Sequence, residues 1–185
     1  MFCLMKRLFI LILMLSIAVN GYCQKIDDGR YIIESTIDYH YVITLQNGKV
    51  ERGANICISK YGGTANQKWE VLNNDDGTIS IHSSINTNYV LDLYGSQLRR
   101  GTNIHLWDSN GTNAQKWYLL HDGDGYRIRS AYNVNWVIDL NSSLTKDGNN
   151  IQLWDSNGSD AQLWKFVPVD NDEELLEEFY MIYGW

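Results

Sequence analysis

Gln67-Lys68-Trp69, Gln115-Lys116-Trp117 and Gln162-Leu163-Trp164 set the same Gln-x-Trp tripeptide three times into a chain of 185 residues, at spacings of 48 and then 47. A period of that length, with each copy ending the same way, marks one supersecondary unit stacked into a closed assembly. A unit of this size cannot bury an apolar face alone, so the three copies must share a core, with Trp69, Trp117 and Trp164 filling equivalent positions. The glutamine two residues earlier can bond its amide to loop backbone and fix how the chain enters the strand. On this reading Gln67, Trp69, Gln115, Trp117, Gln162 and Trp164 are structural.

Upstream, each copy opens on an Asp-Gly dipeptide that favours a tight turn: Asp28-Gly29, Asp76-Gly77 and Asp124-Gly125. Alternating apolar residues follow (Tyr31 and Ile33, Ile79 and Ile81, Tyr126 and Ile128), which predicts strands with one buried and one wet face. Ser35, Ser83 and Ser130 close these strands, and Asp38, Asn86 and Asn133 mark loops or turns. Second strands are predicted over Tyr41–Leu45, Tyr89–Leu93 and Trp136–Leu140, then a turn carrying Gly53, Gly101 or Gly148. Third strands follow over Asn55–Ser59, Asn103–Trp107 and Asn150–Trp154, and Gln-x-Trp begins a fourth. Four short strands per copy, with turn signals every ten or so residues, predict an all-β, barrel-like fold. Helical periodicity is absent from Lys25 to Val167.

Triplicated Gln-x-Trp, with Val90-Leu91-Asp92-Leu93 and Asn103-Ile104-His105-Leu106-Trp107 upstream, resembles the ricin B-chain type lectins, a family that includes carbohydrate-binding modules of bacterial xylanases. The likeness runs from about Asp28 to Phe166. It implies a β-trefoil, a six-stranded barrel capped by three hairpins, with up to one sugar site per copy. It also implies that a working site uses an aspartate, an aromatic platform fifteen residues on, and a polar residue two before the platform. The second copy supplies Asp92, His105 and Trp107; the third supplies Asp139, Gln152 and Trp154.

Physical chemistry suits those roles. A carboxylate accepts charge-assisted bonds from neighbouring sugar hydroxyls, and an indole face packs on the C–H face of a pyranose. His105 or Gln152 can bond a further hydroxyl. The competing reading makes Asp92 and Asp139 edge-strand acids bonded to turn backbone, with Trp107 and Trp154 in the core. The first copy has Thr44, Cys57 and Ser59 at these positions, so it is expected to be structural, with Tyr61 near enough to serve as a substitute aromatic. Family sites often carry an asparagine just before the glutamine. Here Ala114 and Ala161 take that place, only the first copy keeps it as Asn66, and Asn113 and Asp160 are candidate replacements.

At the N-terminus Lys6 and Arg7 precede an apolar run from Leu8 to Val19, the pattern of a secretory signal peptide over residues 1–23. The lectin domain is then 24–168, and export to the extracellular space or periplasm is expected. Cys3 and Cys23 leave with the signal, so Cys57 stands alone and is read as a buried residue rather than a reactive thiol. The remaining 13 basic and 22 acidic residues give a net charge of −9, which disfavours nucleic acid and anionic lipid and leaves neutral glycans open. No membrane insertion of the mature chain is expected.

His40, His82, His105 and His121 show neither metal spacing nor a nucleophile motif, and no phosphate-cradling glycine loop is present. The turns Asp108-Ser109-Asn110-Gly111 and Asp155-Ser156-Asn157-Gly158 echo a calcium loop without its bidentate glutamate, and read as ordinary turns. Asp92 and Asp139 belong to separate copies, too far apart to act as a glycosidase pair. No catalysis, cofactor or metal is expected. Residues 169–185 form an acidic tail in which Leu175, Leu176, Phe179 and Ile182 or Tyr183 recur at helical spacing, predicting a short helix that packs on the domain or docks a protein partner. Two competitors to a lectin with two sites are a protein-interaction scaffold and a targeting subunit for a separate toxin or hydrolase.

Overall fold

The computed structural model describes residues 25–169; the expected signal segment over 1–23 and the helix expected within the tail lie outside the described residues. The first repeat contains β1 (Gly29–Ser35), β2 (Asp38–Leu45), β3 (Ile56–Lys60) and β4 (Trp69–Asn73). The second contains β5 (Ile79–Ser83), β6 (Tyr89–Leu93), β7 (Thr102–Asp108) and β8 (Trp117–Asp122). The third contains β9 (Gly125–Ser130), β10 (Trp136–Leu140), β11 (Asn149–Asp155) and β12 (Trp164–Pro168).

First and fourth strands of the repeats close a six-stranded antiparallel barrel in the order β1-β4-β5-β8-β9-β12 and back to β1. Closure removes free sheet edges. The second and third strands form three hairpins, β2–β3, β6–β7 and β10–β11. These cap the barrel and pair with one another through β11 with β3, β11 with β7, and a bridge between Asn55 and His105. This is the expected β-trefoil.

The core repeats with the chain. Ile43, Leu91 and Ile138 are buried at one level, and Ile56, Ile104 and Ile151 at another. Trp69, Trp117 and Trp164 are only 1%, 0% and 0% exposed. The expected turn residues act through their side chains. Ser35, Ser83 and Ser130 accept the amide two residues on through Oγ, and Asp38, Asn86 and Asn133 do the same through Oδ1.

The Asp-Gly dipeptides are not equivalent. Gly77 takes a positive φ of 81°, whereas Gly29 and Gly125 begin strands. In the third repeat the turn residue is Gly123, at φ 58°. Gly125 is required for space instead: a Cβ there would stand 2.8 Å from the Trp164 carbonyl oxygen.

Three asparagines tie the hairpins together around the threefold axis. Asn103 Nδ2 donates to Asn55 Oδ1 (2.8 Å), Asn55 Nδ2 to Asn150 Oδ1 (2.9 Å), and Asn150 Nδ2 to Asn103 Oδ1 (2.8 Å). Within the ring each amide gives one bond to the next and accepts one from the last, so it closes head to tail. Asn103→Ala removes two bonds at once and is expected to lower stability by about 1–2 kcal/mol in urea unfolding. An unchanged midpoint and slope would show that the ring contributes nothing.

Candidate functional site

Cross-strand register assembles the predicted residues. Asp92 lies opposite His105 and Val90 opposite Trp107 in the β6–β7 hairpin. Asp139 lies opposite Gln152 and Val137 opposite Trp154 in β10–β11. Directly opposed residues project from the same face of a sheet, so each carboxylate meets its polar partner. His105 Nε2 is 3.1 Å from Asp92 Oδ1, a bond that needs the proton on Nε2. Gln152 Nε2 donates to Asp139 Oδ1, also at 3.1 Å. His105 and Gln152 therefore orient the acids as well as facing the pocket.

The second oxygen of each aspartate brings in a residue assigned above to the fold alone. Gln115 Nε2 donates to Asp92 Oδ2 at 2.9 Å, and Gln162 Nε2 to Asp139 Oδ2 at 3.0 Å. The same nitrogens reach the carbonyls of Asp108 and Asp155, each at 2.8 Å, while Oε1 accepts the amides of Asn110 and Asn157. One buried amide thus locks the loop after the platform strand and holds the carboxylate. With one oxygen bonded on each side, the aspartates are fixed in orientation and keep lone pairs for a ligand. Burial pushes the Asp139 carboxyl above its ordinary value, and the bonds from Gln152 and Gln162 hold that rise back.

Trp107 and Trp154 are half-buried, unlike the core tryptophans, which rules out the reading that places them in the core. Each lines an open cavity. In the second repeat it measures about 520 Å³ and includes Asp92, Tyr94, Gln97, His105, Trp107 and Ala114. In the third it measures about 240 Å³ and includes Asp139, Asn141, Gln152, Trp154, Asn157 and Ala161. Asn113 and Asp160 do not line these cavities; Asn110 and Asn157 do. Their Oδ1 atoms also accept amides two residues on, as ordinary Asx turns. Among the described residues no group of three or more His, Cys, Asp or Glu side chains is placed to hold a metal.

Both platforms are backed by an arginine from the preceding repeat. Arg52 Cζ lies 5.8 Å from the Trp107 ring centre and Arg100 Cζ 5.5 Å from that of Trp154. The arginines are ion-paired with Asp108 and Asp155, the residues that follow the tryptophans. Neither arginine lines these two cavities, and each lies within cation–π range of its indole. Gly53 and Gly101 carry these arginines on turns of positive φ, 79° and 78°, and donate their amides to Leu106 and Leu153.

At the equivalent positions the first repeat bonds its own side chains to one another. Thr44 Oγ1 is 2.8 Å from Ser59 Oγ, which accepts Gln67 Nε2 at 2.9 Å. Asn66 Nδ2 donates to the Leu45 carbonyl at 3.0 Å, so the asparagine missing from the other repeats is spent on backbone here. Cys57 is buried beside the Thr44 carbonyl, and burial pushes its thiol up to about 11. At the place of the arginines stands Asp147, whose Oδ1 accepts the Lys60 amide.

Residues 31–164 match the ricin-type beta-trefoil lectin domain. The chain belongs to that family. A domain of this family is a carbohydrate-binding unit rather than a catalytic one. No curated protein matches the chain. Among solved structures, this lectin domain is similar to the designed threefold-symmetric protein ThreeFoil, at 25% identity and a TM-score of 0.72, over 77% of this chain and 100% of that one. It is similar to the exo-beta-1,3-galactanase 1,3Gal43A from Clostridium thermocellum, at 28% identity and a TM-score of 0.71, over 77% of this chain but only 31% of the enzyme. The lactose-bound ricin B-like lectin of Macrolepiota procera shares the fold at 21% identity and a TM-score of 0.66, over 78% and 99% of the two chains.

Proposed function

We propose that this is a secreted lectin that binds glycans through two sites, Asp92 with His105 and Trp107, and Asp139 with Gln152 and Trp154. The observation that carries the proposal is the contrast between repeats. Two of them set an oriented carboxylate beside a half-exposed indole in an open cavity, and the first instead bonds Thr44, Ser59 and Gln67 to one another, with neither a carboxylate nor an indole at these positions. Galactose-type sugars are the first candidates, in keeping with the name of the galactanase it resembles at 28% identity. Plant-type polysaccharide is the second. Lys6, Arg7 and the apolar run after them support export. Shallow polar sites bind weakly one at a time, and two on one domain raise avidity on a multivalent glycan when both engage.

A glycan array with the mature protein, followed by titration of the best ligand, tests the reading. Asp92→Ala and Asp139→Ala are each expected to weaken their own site by roughly 10- to 100-fold, the loss of charge-assisted hydrogen bonds. The double variant should no longer be retained on the array. Binding that survives in a folded double variant would overturn the assignment.

A further inference from the structure

We infer that the two sites are unequal, and that the second repeat carries an additional sugar subsite, formed by Tyr94 and Gln97, for a ring linked to the one on Trp107. This rests on the sugar-binding reading above. Two residues beyond the aspartate, the repeats carry Gln46, Tyr94 and Asn141. Gln46 is turned toward the asparagine ring, where its Oε1 accepts Asn55 Nδ2 at 3.1 Å. Asn141 is short, and its Oδ1 accepts the hydroxyl of Ser142 at 3.0 Å. Tyr94 is 56% exposed and lines the cavity together with Asp92 and Trp107.

Three rings stand in series along that wall. Tyr94 meets His105 edge to face at 5.3 Å and 66°, and His105 stacks on Trp107 at 5.3 Å and 24°. Tyr94 and Trp107 both contact the histidine, and each brings aromatic surface for a separate pyranose. Gln97 adds an amide to the same wall, whereas its counterpart in the third repeat, Leu144, does not line that cavity. The cavity volumes follow the side chains, about 520 Å³ against about 240 Å³. The second repeat is built for two linked sugar rings, and the third for a single terminal one.

The test uses two full-chain single-site proteins, Asp139→Ala, which keeps the second repeat's site, and Asp92→Ala, which keeps the third's. Each is titrated calorimetrically with galactose and lactose, and with xylose and xylobiose. The Asp139→Ala protein should bind the better disaccharide roughly two- to tenfold tighter than its monosaccharide, the range for one added stacking contact. The Asp92→Ala protein should show a ratio near one. Tyr94→Ala in the Asp139→Ala protein should bring the ratio to one, and Asn141→Tyr in the Asp92→Ala protein should raise it. If Tyr94 serves only to hold His105, Tyr94→Ala weakens both ligands by one factor and leaves the ratio intact, which overturns the subsite. Equal ratios in the two single-site proteins overturn it as well. Loss of all sugar binding in both proteins removes the lectin sites themselves, and the subsite with them.

Discussion

Alanine in place of Trp164 is expected to remove about 3–5 kcal/mol of stability, a large share of what holds an ordinary domain together. The indole is fully buried, and its Nε1 donates to the Ile138 carbonyl at 3.1 Å. Trp69 repeats the arrangement, with Nε1 2.9 Å from the Ile43 carbonyl oxygen. Trp117 does not: the same register points it at Leu91, yet its buried Nε1 has no hydrogen-bond acceptor. Phenylalanine therefore separates the three sites more finely than alanine. Trp69→Phe and Trp164→Phe each lose packing and a hydrogen bond. Trp117→Phe loses packing but also removes a donor that is desolvated without compensation, so it should cost about 1 kcal/mol less than the other two. Urea unfolding of the three phenylalanine variants decides the point. Equal losses, or the largest loss at Trp117, would sink it.

The strands, and the first repeat's want of a carboxylate and an aromatic at the matching positions, were legible in the sequence because both depend on local pattern. Alternation placed the strands, and Thr44 and Ser59 announced by residue type alone that the first repeat cannot offer a carboxylate or a platform. What escaped detection depends on contacts between segments far apart in the chain. The asparagine ring joins residues up to 95 positions apart, and its only trace is an asparagine at the start of every third strand. Gln115 and Gln162 each reach back 23 positions to an aspartate. Their recurrence reads as fold, since spacing does not reveal which way a side-chain amide turns. Arg52 and Arg100 lie one repeat away from the tryptophans they cover, so no pattern within a repeat could pair them. The turn dipeptides misled for a local reason: Asp-Gly favours positive φ, but Gly125 was required by the backbone of Trp164 rather than by its own torsion.

The difference between the first repeat and the other two follows from the same frame. The Gln-x-Trp amide must bond something on the hairpin it faces. In the second and third repeats that acceptor is a carboxylate with lone pairs left over for a ligand. In the first it is Ser59 Oγ, already engaged with Thr44. Building the same arrangement there would need more than Thr44→Asp. Ser59 would have to become aromatic, and Asp147 would have to release the Lys60 amide to let a cation back the new ring. Threefold symmetry of the backbone therefore coexists with two kinds of polar constellation, because the frame specifies a polar contact at this point and not its chemistry.

Glu34 provides the other large expected effect. Strand alternation puts it on the wet face of β1, but the structure buries it at 2% exposure, between Val42 on one side and Lys165 on the other. Its counterparts are His82, bonded to Ser80 and the Thr87 carbonyl, and Arg129. Glu34 Oε2 has no hydrogen-bond partner. Burial pushes its carboxyl up to about 7 from an ordinary 4.5, with Lys165 and His40 offsetting only part of the rise. The sign follows from which state binds the proton more tightly. Below 4.5 the group is protonated in the folded and unfolded chain alike and has no effect. Between 4.5 and 7 the unfolded chain releases the proton while the folded one retains it, so folding loses free energy as pH rises. Above 7 the full penalty is present, about 3 kcal/mol at 1.36 kcal/mol per pH unit. Glu34→Gln keeps the shape and removes the titration. The two proteins should unfold at nearly the same urea concentration at pH 4, and the glutamine variant should be the more stable by up to about 3 kcal/mol at pH 8. Parallel stability curves across that range would show that the buried carboxyl finds a partner in solution, and the predicted gain would vanish.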